Sequence, residues 1–315
     1  MFQSRACRRA NGVKMTNSAK SRLRNWAGVA GRRLPWLRAF GGRLGIGRWL
    51  APSGTCEQVV LDGDVVIEFD LSVPIFRHIF FQHDLNQSAE LRLMSRLADA
   101  ETVFVDVGAH IGYVCLVAAK YARKVLAFEP SPTTFAMLQR NIQLNPALAT
   151  KVVARQIGMG STQGAFNLYT SPSHPGLASL SPIDAPDAVA QSVDIDTLDN
   201  VVDPSAGRVG MLKIDVEGAE LDVLTGGARL ITRDRPLVAI ELVEAHQRRF
   251  GRACADILRF FGERDYVAVE VPDHLDPPTP FTPDAIERDG AVNVLFVPRE
   301  RVDAILAASG RKNVR

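Results

Sequence analysis

The chain has 315 residues, 46% of them hydrophobic, with 37 Lys and Arg against 35 Asp and Glu. This length and composition allow one sizeable α/β core and argue against two full domains. No apolar stretch approaches the roughly 20 residues of a membrane-spanning helix, which argues against an integral membrane protein. The 4 cysteines contain no C-x-x-C pair, which fits a reducing compartment and predicts a cytoplasmic protein.

The N-terminal segment is strongly basic. Residues 1–56 contain 12 Lys or Arg and no acidic residue, so the remainder holds 25 basic and 35 acidic residues, a net charge of −10. We predict a flexible, solvated extension over residues 1–55, with Met15 as an alternative start. Aromatic residues between the arginines also fit contact with a membrane surface. Nucleic-acid-binding arms and organellar transit peptides share this composition.

Ordered structure is predicted from Cys56 onward, so that residues 56–315 form the folded domain. Alternating apolar residues on both sides of Asp62-Gly63 predict a β-hairpin. The segment Arg77–Ala98 is predicted to be mainly helical. Residues 56–100 are therefore expected to form a hairpin and helical cap before a core over residues 101–298.

Residues 102–130, TVFVDVGAHIGYVCLVAAKYARKVLAFEP, have the pattern strand, loop, helix, strand. The first strand is apolar apart from Asp106, as expected for a strand buried on both faces. Gly108 and Gly112 lack a Cβ, so the backbone can turn sharply and approach a ligand closely. The helix that follows points unpaired N–H groups at this loop. This arrangement suits a nucleotide-like cofactor at the carboxyl edge of a parallel sheet.

In the dinucleotide fingerprint G-x-G-x-x-G the first two glycines are two positions apart. The loop differs from it, because Gly108 and Gly112 are four positions apart. A carboxylate at Asp106 would repel a pyrophosphate but suits a cation. S-Adenosyl-L-methionine carries a sulfonium, an ammonium and a ribose without phosphate, so the loop favours this cofactor over NAD. Glu129 stands where an acidic residue meets ribose hydroxyls. The predicted cofactor-binding residues are Asp106, Gly108, Ala109, His110, Gly112, Glu129 and Pro130.

Several stretches of the chain resemble the FkbM-type family of S-adenosylmethionine-dependent methyltransferases. They are VDVGAHIG, LAFEPSPTTFAMLQRNIQLNP, VDIDTLDNV, MLKIDVEGAELDVLTGGARLI, RPLVAIE and NVLFVP, in the family's order over roughly residues 60–298. The resemblance implies the class I methyltransferase fold. This is an α/β, doubly wound, Rossmann-like sheet of seven strands with the last strand antiparallel. It also implies an O-methyltransferase that acts on a hydroxyl of a sugar, a glycan or a secondary metabolite.

The seven strands of this sheet are predicted in chain order at 102–107, 125–129, 151–157, 210–215, 237–242, 266–271 and 292–297. Two extra strands, AFNLYT and SVDIDTL, are predicted between the third and fourth of them. The connector Ser171–Ser192 and the loop Pro272–Ala291 are predicted to be irregular. Both are candidates for substrate recognition, because loops on a rigid sheet commonly carry specificity.

Methyl transfer to a hydroxyl is an in-line displacement, so the enzyme must hold the acceptor close and help to remove its proton. Asp215 and Glu217 follow the predicted fourth strand, where the reacting methyl should point. We predict that both line the acceptor side and that one is the base or orients the hydroxyl. Lys213 is predicted as an ion-pair partner or a second hydroxyl ligand. Glu220 and its neighbours could instead stabilise a helix start.

Two histidines offer alternative bases, since an unperturbed imidazole titrates near neutrality. His110 lies inside the cofactor loop, where loop packing is the simpler explanation. His246 follows a strand end beside Glu241 and Glu244, where a solvated face is favoured over a metal site. No metal and no nucleic acid are expected. The net charge of −10 on the residues after the arm repels phosphates, and no amino-methylating N-P-P-Y pattern follows the fourth strand.

Overall fold

The computed structural model describes residues 55–71, 73, 76–77, 80, 96–171, 174–271 and 279–309. The predicted basic extension and most of the predicted helical cap lie outside the described residues. The chain divides into two compact units. The first unit is Met1–Asn86 with Pro172–Gly176, and the second is Gln87–Ser171 with Leu177–Arg315.

The first unit contains the predicted β-hairpin. Strand β1 (Cys56–Leu61) pairs antiparallel with β2 (Val65–Asp70). Asp62 and Gly63 between them have φ values of 47° and 89°, the left-handed conformation that a tight hairpin turn requires. Alternate residues of β2 are buried, which gives this hairpin one apolar face. The hairpin prediction is confirmed.

The second unit contains twelve strands among its described residues. In chain order they are β3 (Val103–Val107), β4 (Lys124–Phe128), β5 (Val152–Arg155), β6 (Gly158–Met159), β7 (Gly164–Ser171), β8 (His174–Ser179, shared with the first unit), β9 (Val189–Asp196), β10 (Val209–Ile214), β11 (Leu237–Val243), β12 (Tyr266–Glu270), β13 (Thr279–Pro280) and β14 (Ala291–Pro298).

Eight of these strands form one mixed sheet in the order β13-β12-β14-β11-β10-β3-β4-β5. The pairs from β11 through β5 are parallel, and β14 runs antiparallel to both β11 and β12. All seven predicted strands are therefore present, and the last of them is antiparallel. The predicted count is short by one, because the two-residue strand β13 pairs with β12 inside a segment that was predicted to be a loop.

A smaller sheet has the order β6-β9-β7-β8. The two predicted extra strands are β7 and β9, which pair antiparallel. The prediction that Ser171–Ser192 is irregular was wrong in part, since this connector contributes β8. Its sequence HPGLAS lacks the period-two alternation by which a strand is recognised.

Ten α-helices lie wholly within the described residues. They are α1 (Tyr113–Tyr121), α2 (Pro132–Leu144), α3 (Pro146–Ala149), α4 (Leu198–Val201), α5 (Glu220–Gly226), α6 (Ala228–Asp234), α7 (Glu244–Arg249), α8 (Cys254–Gly262), α9 (Asp284–Asp289) and α10 (Val302–Ser309). Short 3-10 turns lie at Pro204–Ala206 and Arg299–Arg301. None of the helices found in the described ranges is long and apolar enough to cross a bilayer.

The central strands β3 and β10 bury every residue, which is expected where helices cover both faces of a parallel sheet. Helix α2 begins with a local signal, because Ser131 Oγ accepts a hydrogen bond from the Thr134 N–H and Pro132 occupies the first turn. Cys115 and Cys254 are buried free thiols, whereas Cys56 takes part in a disulfide bond that the cysteine spacing did not predict.

Candidate active site

The loop after β3 lies against the end of β10. Gly108 has φ 80°, and an added Cβ would lie 1.9 Å from the carbonyl oxygen of Asp215. The Asp215 N–H donates to the carbonyl of Val107 at 3.0 Å, which keeps the two strand ends in register. Only a residue without a Cβ fits here. Gly108 therefore allows the predicted cofactor loop to contact the strand end that carries the predicted acceptor-side residues.

The same loop is also hydrogen-bonded to the end of β4. The N–H groups of Gly108 and Ala109 donate to the Phe128 carbonyl at 2.9 and 3.0 Å. Gly112, with φ 93°, then precedes the first residue of α1. His110 has φ 52°, a left-handed conformation that is uncommon for a residue other than glycine. The backbone of the loop is thus fixed by its neighbours rather than free to rearrange.

Glu129 accepts two backbone hydrogen bonds at the end of β4. Its Oε2 accepts from the His110 N–H at 3.0 Å and its Oε1 from the Ser131 N–H at 2.9 Å. Burial outweighs these hydrogen bonds and raises the pKa of Glu129 to about 7. A carboxylate offers about four lone-pair positions, so Glu129 can accept further donors such as a ribose diol. Pro130 follows it and is half-buried.

Lys213 lies between two carboxylates at the centre of the sheet. Its Nζ is 3.2 Å from Asp215 Oδ2 and 3.8 Å from Asp106 Oδ1. The side chain of Asp106 is fully buried, whereas that of Asp215 keeps 37% exposure. Burial opposes the charge of Asp215, but the Lys213 ammonium outweighs this effect and holds the pKa of Asp215 below its ordinary value. Asp215 is therefore an ionised and accessible carboxylate.

Glu217 lies in the turn after β10 and contacts helix α7. Its Oε2 is 3.1 Å from His246 Nδ1 and 3.9 Å from Arg249 Nη2. Burial, and then the carboxylates of Asp215 and Glu241, raise the pKa of Glu217 to about 8. Burial, and then the Arg249 guanidinium, hold the pKa of His246 below its ordinary value. The imidazole is therefore uncharged at neutral pH.

Glu220, in the first turn of α5, is a buried hydrogen-bond acceptor. Its Oε1 accepts from the Gly218 N–H at 3.1 Å, and its Oε2 accepts from Gln247 Nε2 at 2.5 Å. Burial raises its pKa in spite of these hydrogen bonds. Glu220 thus joins the turn after β10 to helix α7. The contacts of Glu220 therefore support the turn after β10, and they do not place this side chain on the acceptor side.

The structure separates the two alternative bases. Burial, opposed by Asp215 and assisted by Lys213, lowers the pKa of His110 to about 4. Its imidazole is a poor proton acceptor at neutral pH. His246 is instead in contact with Glu217 and is partly exposed. Within the described ranges, no cluster of three or more His, Cys, Asp or Glu is arranged to hold a metal ion.

Three further residues at this site were not predicted from the sequence. Gln247 contacts Glu220, Arg249 Nη2 donates to the Glu217 carbonyl at 3.5 Å, and Ser179 Oγ donates to the same carbonyl at 3.2 Å. A glutamine at a helix position with charged neighbours gives no sign that it is buried. Ser179 lies in the connector that was predicted to be irregular. Only the tertiary contacts identify these residues.

The residues of this site fit S-adenosylmethionine. Gly108 lies so close to the Asp215 backbone that a side chain would not fit there. Glu129 accepts a hydrogen bond from the loop through the His110 N–H. Asp106, Glu129 and Asp215 supply negative charge, which suits a cationic ligand and would repel a pyrophosphate. Asp106 is fully buried beside Lys213, so its predicted place near the methionine moiety stays a prediction.

The part of the chain that contains this site is similar to known proteins. The Methyltransferase FkbM domain matches residues 106–268, which include the cofactor loop, β10 and α7. The chain is 35% identical over 153 residues to Methyltransferase sdnD of Sordaria araneosa, which covers 39% of this chain and 59% of that protein. It is 31% identical over 161 residues to the Hexuronic acid methyltransferase AglP of Haloferax volcanii, covering 50% and 61%.

Among solved structures, the methyltransferase FkbM of Methylobacillus flagellatus superposes with a TM-score of 0.44 at 20% identity, covering 63% of this chain and 44% of that one. The chain spans about three fifths of the length of the curated relatives named above. The domain match covers more than half of the chain and includes every predicted site residue. It supports a methyltransferase with S-adenosylmethionine as the methyl donor. The chain belongs to the FkbM methyltransferase family.

Proposed function

We propose that the protein is an S-adenosylmethionine-dependent O-methyltransferase that acts on a hydroxyl of a sugar, a glycan or a secondary metabolite. The observation that carries this proposal is the accessible, ionised Asp215 beside Glu217, at the strand end that contacts the cofactor loop. The name of the AglP relative includes hexuronic acid, which supports a sugar-like acceptor.

When bound, S-adenosylmethionine supplies a methyl group on a positively charged sulfur, a good leaving group that needs no metal ion. Gly108, Ala109, His110 and Gly112 would hold it through the loop backbone, and Glu129 would accept its ribose hydroxyls. Asp215 and Glu217 would line the acceptor side. One of them would orient the acceptor hydroxyl or assist the loss of its proton, while Lys213 holds Asp215 in place.

A nucleic-acid methyltransferase is the principal competing function. Residues 57–315 carry a net charge of −10, which repels a phosphate backbone. We therefore propose a small molecule or a glycan as the substrate.

We further propose that residues 1–55 contact a membrane surface weakly. The free thiols Cys115 and Cys254 fit the cytoplasmic location that we propose, whereas the disulfide bond at Cys56 fits an oxidising compartment.

The proposed function is tested with labelled S-adenosylmethionine and fractionated glycans and metabolites of the host. We expect label in an ether-linked methyl group of a hydroxyl compound, and calorimetry should show binding of the cofactor or of its demethylated product. Label in RNA or DNA would favour the competing function. Tight binding of NADH without binding of S-adenosylmethionine would contradict the cofactor assignment.

The acceptor side is tested with Asp215→Asn, because the amide keeps the shape of the side chain and removes its charge. Turnover should fall by roughly 10²–10⁴ while cofactor affinity is kept. Glu220→Gln is the comparison, since Glu220 supports the turn and should affect the free energy of unfolding more than turnover. Normal turnover in Asp215→Asn would place the acceptor elsewhere.

A further inference from the structure

Glu217 and His246 form a pair that a substrate can reach. The Oε2 atom of Glu217 is 3.1 Å from Nδ1 of His246, and the two side chains keep 25% and 27% exposure. Glu217 follows Asp215 by two residues in the turn after β10, so the pair adjoins the proposed acceptor side. The contact therefore joins a carboxylate, an imidazole and the surface at which an acceptor would bind.

Several contacts join the turn that carries Glu217 to the helix that carries His246. Gly218 has φ 114°, and an added Cβ would lie 2.7 Å from the carbonyl oxygen of His246. Glu220 accepts a hydrogen bond from Gln247, the residue next to His246. The Glu217 carbonyl accepts from Ser179 Oγ at 3.2 Å. The turn after β10 and helix α7 are thus joined on both sides of the pair.

We propose that His246 accepts the proton of the acceptor hydroxyl and that Glu217 is the positioning residue that orients its imidazole. This inference rests on the proposed O-methyltransferase function. Oε2 of Glu217 is buried and has no hydrogen-bond partner among the described residues, so it is available to accept from Nδ1–H of His246, which would leave Nε2 for the substrate. The lone pair of Nε2 takes the hydroxyl proton, the acceptor oxygen bonds to the methyl carbon, and the pair of the broken carbon–sulfur bond stays on sulfur.

The other groups near the acceptor side are less suited to this step. The pKa of His110 is lowered to about 4, so its imidazole takes up a proton poorly at neutral pH. Asp215 is bound to Lys213 at 3.2 Å, which lowers its pKa and its basicity. His246 is uncharged at neutral pH, because burial holds the pKa of its imidazole below the ordinary value. An uncharged imidazole that is 27% exposed and lies 3.1 Å from a carboxylate is the better proton acceptor.

The protonation state of Glu217 selects the tautomer of His246. An ionised Glu217 accepts from Nδ1–H and leaves the Nε2 lone pair available. A protonated Glu217 instead donates to Nδ1, so that the hydrogen of the imidazole is on Nε2 and the base is blocked. The groups that face Glu217 are Asp215 after β10, Glu241 of β11, Glu220 of α5, and His246 and Arg249 of α7. Turnover should therefore rise as the pH increases through about 8, where Glu217 ionises.

The first test needs no turnover. The nitrogen chemical shifts of ¹⁵N-labelled histidine are measured in the free, full-length protein between pH 6 and 9.5, and the His246 signals are identified by their loss in His246→Asn. We expect His246 to carry its hydrogen on Nδ1 above pH 8 and to lose this preference in Glu217→Gln. An Nε2–H tautomer at high pH, or one that Glu217→Gln does not change, would overturn the proposal.

The second test measures turnover and cofactor affinity in four variants. His246→Gln keeps a polar group near the Nε2 position but cannot take the proton, and His246→Asn keeps one near Nδ1. Both should lower turnover by roughly 10²–10⁴ with cofactor affinity unchanged. Glu217→Gln should lower turnover and remove its rise with pH. Combining Glu217→Gln with His246→Gln should cause no further loss of turnover, because the two residues act as a unit.

Arg248→Gln is the matched control, since Arg248 lies on the same helix, is 76% exposed and pairs with Glu244. It should keep full turnover. If the wild type methylates a hydroxyl and both His246 variants do so equally well, the inference is wrong and the proposed function stands. If the wild type binds the cofactor but methylates no hydroxyl compound, both fail together.

Discussion

At the scale of single residues, the charges at the centre of the sheet form one electrostatic unit. Lys213 separates the buried Asp106 from the accessible Asp215. A buried charge is tolerated when it is paired, and the removal of one partner is costly. The cation at Lys213 thus lets one carboxylate stay inside the core while the other remains ionised at the strand end.

Replacing Lys213 by Met should destabilise the protein by about 3–5 kcal/mol, because Asp106 then keeps its charge in the core without this cation. The loss should shrink as the pH falls, since a proton can neutralise Asp106. Urea unfolding of the variant at pH 5 and pH 8 measures both effects. Arg229→Gln is the control, because it removes an exposed guanidinium that pairs with Asp199 and should cost less than about 1 kcal/mol.

The raised pKa of Glu129 predicts how cofactor affinity changes with pH. The carboxylate accepts ribose hydroxyls when ionised, and its pKa is about 7. Affinity should therefore increase by roughly tenfold between pH 6 and pH 8. The folded pKa lies above the unfolded value of 4.5, so the contribution of Glu129 to stability is full below pH 4.5 and is lost as the pH rises through about 7.

Calorimetric titrations of the demethylated cofactor at pH 6, 7 and 8 measure this dependence. Glu129→Gln should bind more weakly and with an affinity that no longer varies with pH in this range. Glu101→Gln, an exposed carboxylate at the other end of β3, is the control and should keep the wild-type profile. An unchanged pH profile in Glu129→Gln would remove Glu129 from the ribose site.

At the scale of elements, the site depends on glycine where the loop after β3 meets the end of β10. Gly108 and Gly63 share a positive φ, but an added Cβ at Gly63 would have nothing within 4 Å, whereas one at Gly108 would collide with Asp215. Substitutions at the two positions therefore distinguish the cost of conformational strain from the cost of a steric conflict. Gly63 lies in the hairpin and is the matched control.

Gly63→Ala should cost about 1–2 kcal/mol, the usual penalty of a left-handed residue with a Cβ. Gly108→Ala should cost more, because the loop must also move away from Asp215. It should weaken cofactor binding by about tenfold or more, equivalent to about 1.4 kcal/mol or more. Thermal unfolding and calorimetry of the two variants give the comparison. Equal stability losses with normal cofactor binding in both would show that the loop adapts.

The elements themselves could be predicted where the signal is local. Apolar runs between turn residues predicted seven of the eight strands of the main sheet, and the glycine spacing predicted the turn after β3. Strand β8 could not be predicted, because its residues pair by tertiary context and not by alternation. The contact between Glu217 and His246 also could not be predicted from the sequence. It depends on a left-handed Glu217 and on how α7 lies against the turn.

At the scale of the whole molecule, the chain combines a basic segment with an acidic remainder. Residues 1–56 hold 12 of the 37 Lys and Arg, and the rest of the chain is net acidic. All the residues of the candidate site belong to the second compact unit, which begins at Gln87. The charge asymmetry is therefore separate in sequence from the chemistry of the site.

Deleting residues 1–55 should leave the thermal unfolding of the second unit and its affinity for S-adenosylmethionine unchanged. The reason is that the described core strands and every residue of the candidate site lie after the deleted segment. The deletion should abolish salt-sensitive binding to vesicles that contain anionic lipid, because roughly 1 kcal/mol of attraction per basic residue is lost near such a surface. Co-sedimentation of both proteins at low and high salt measures this. Loss of cofactor affinity in the shortened protein would instead show that the basic segment is part of the catalytic fold.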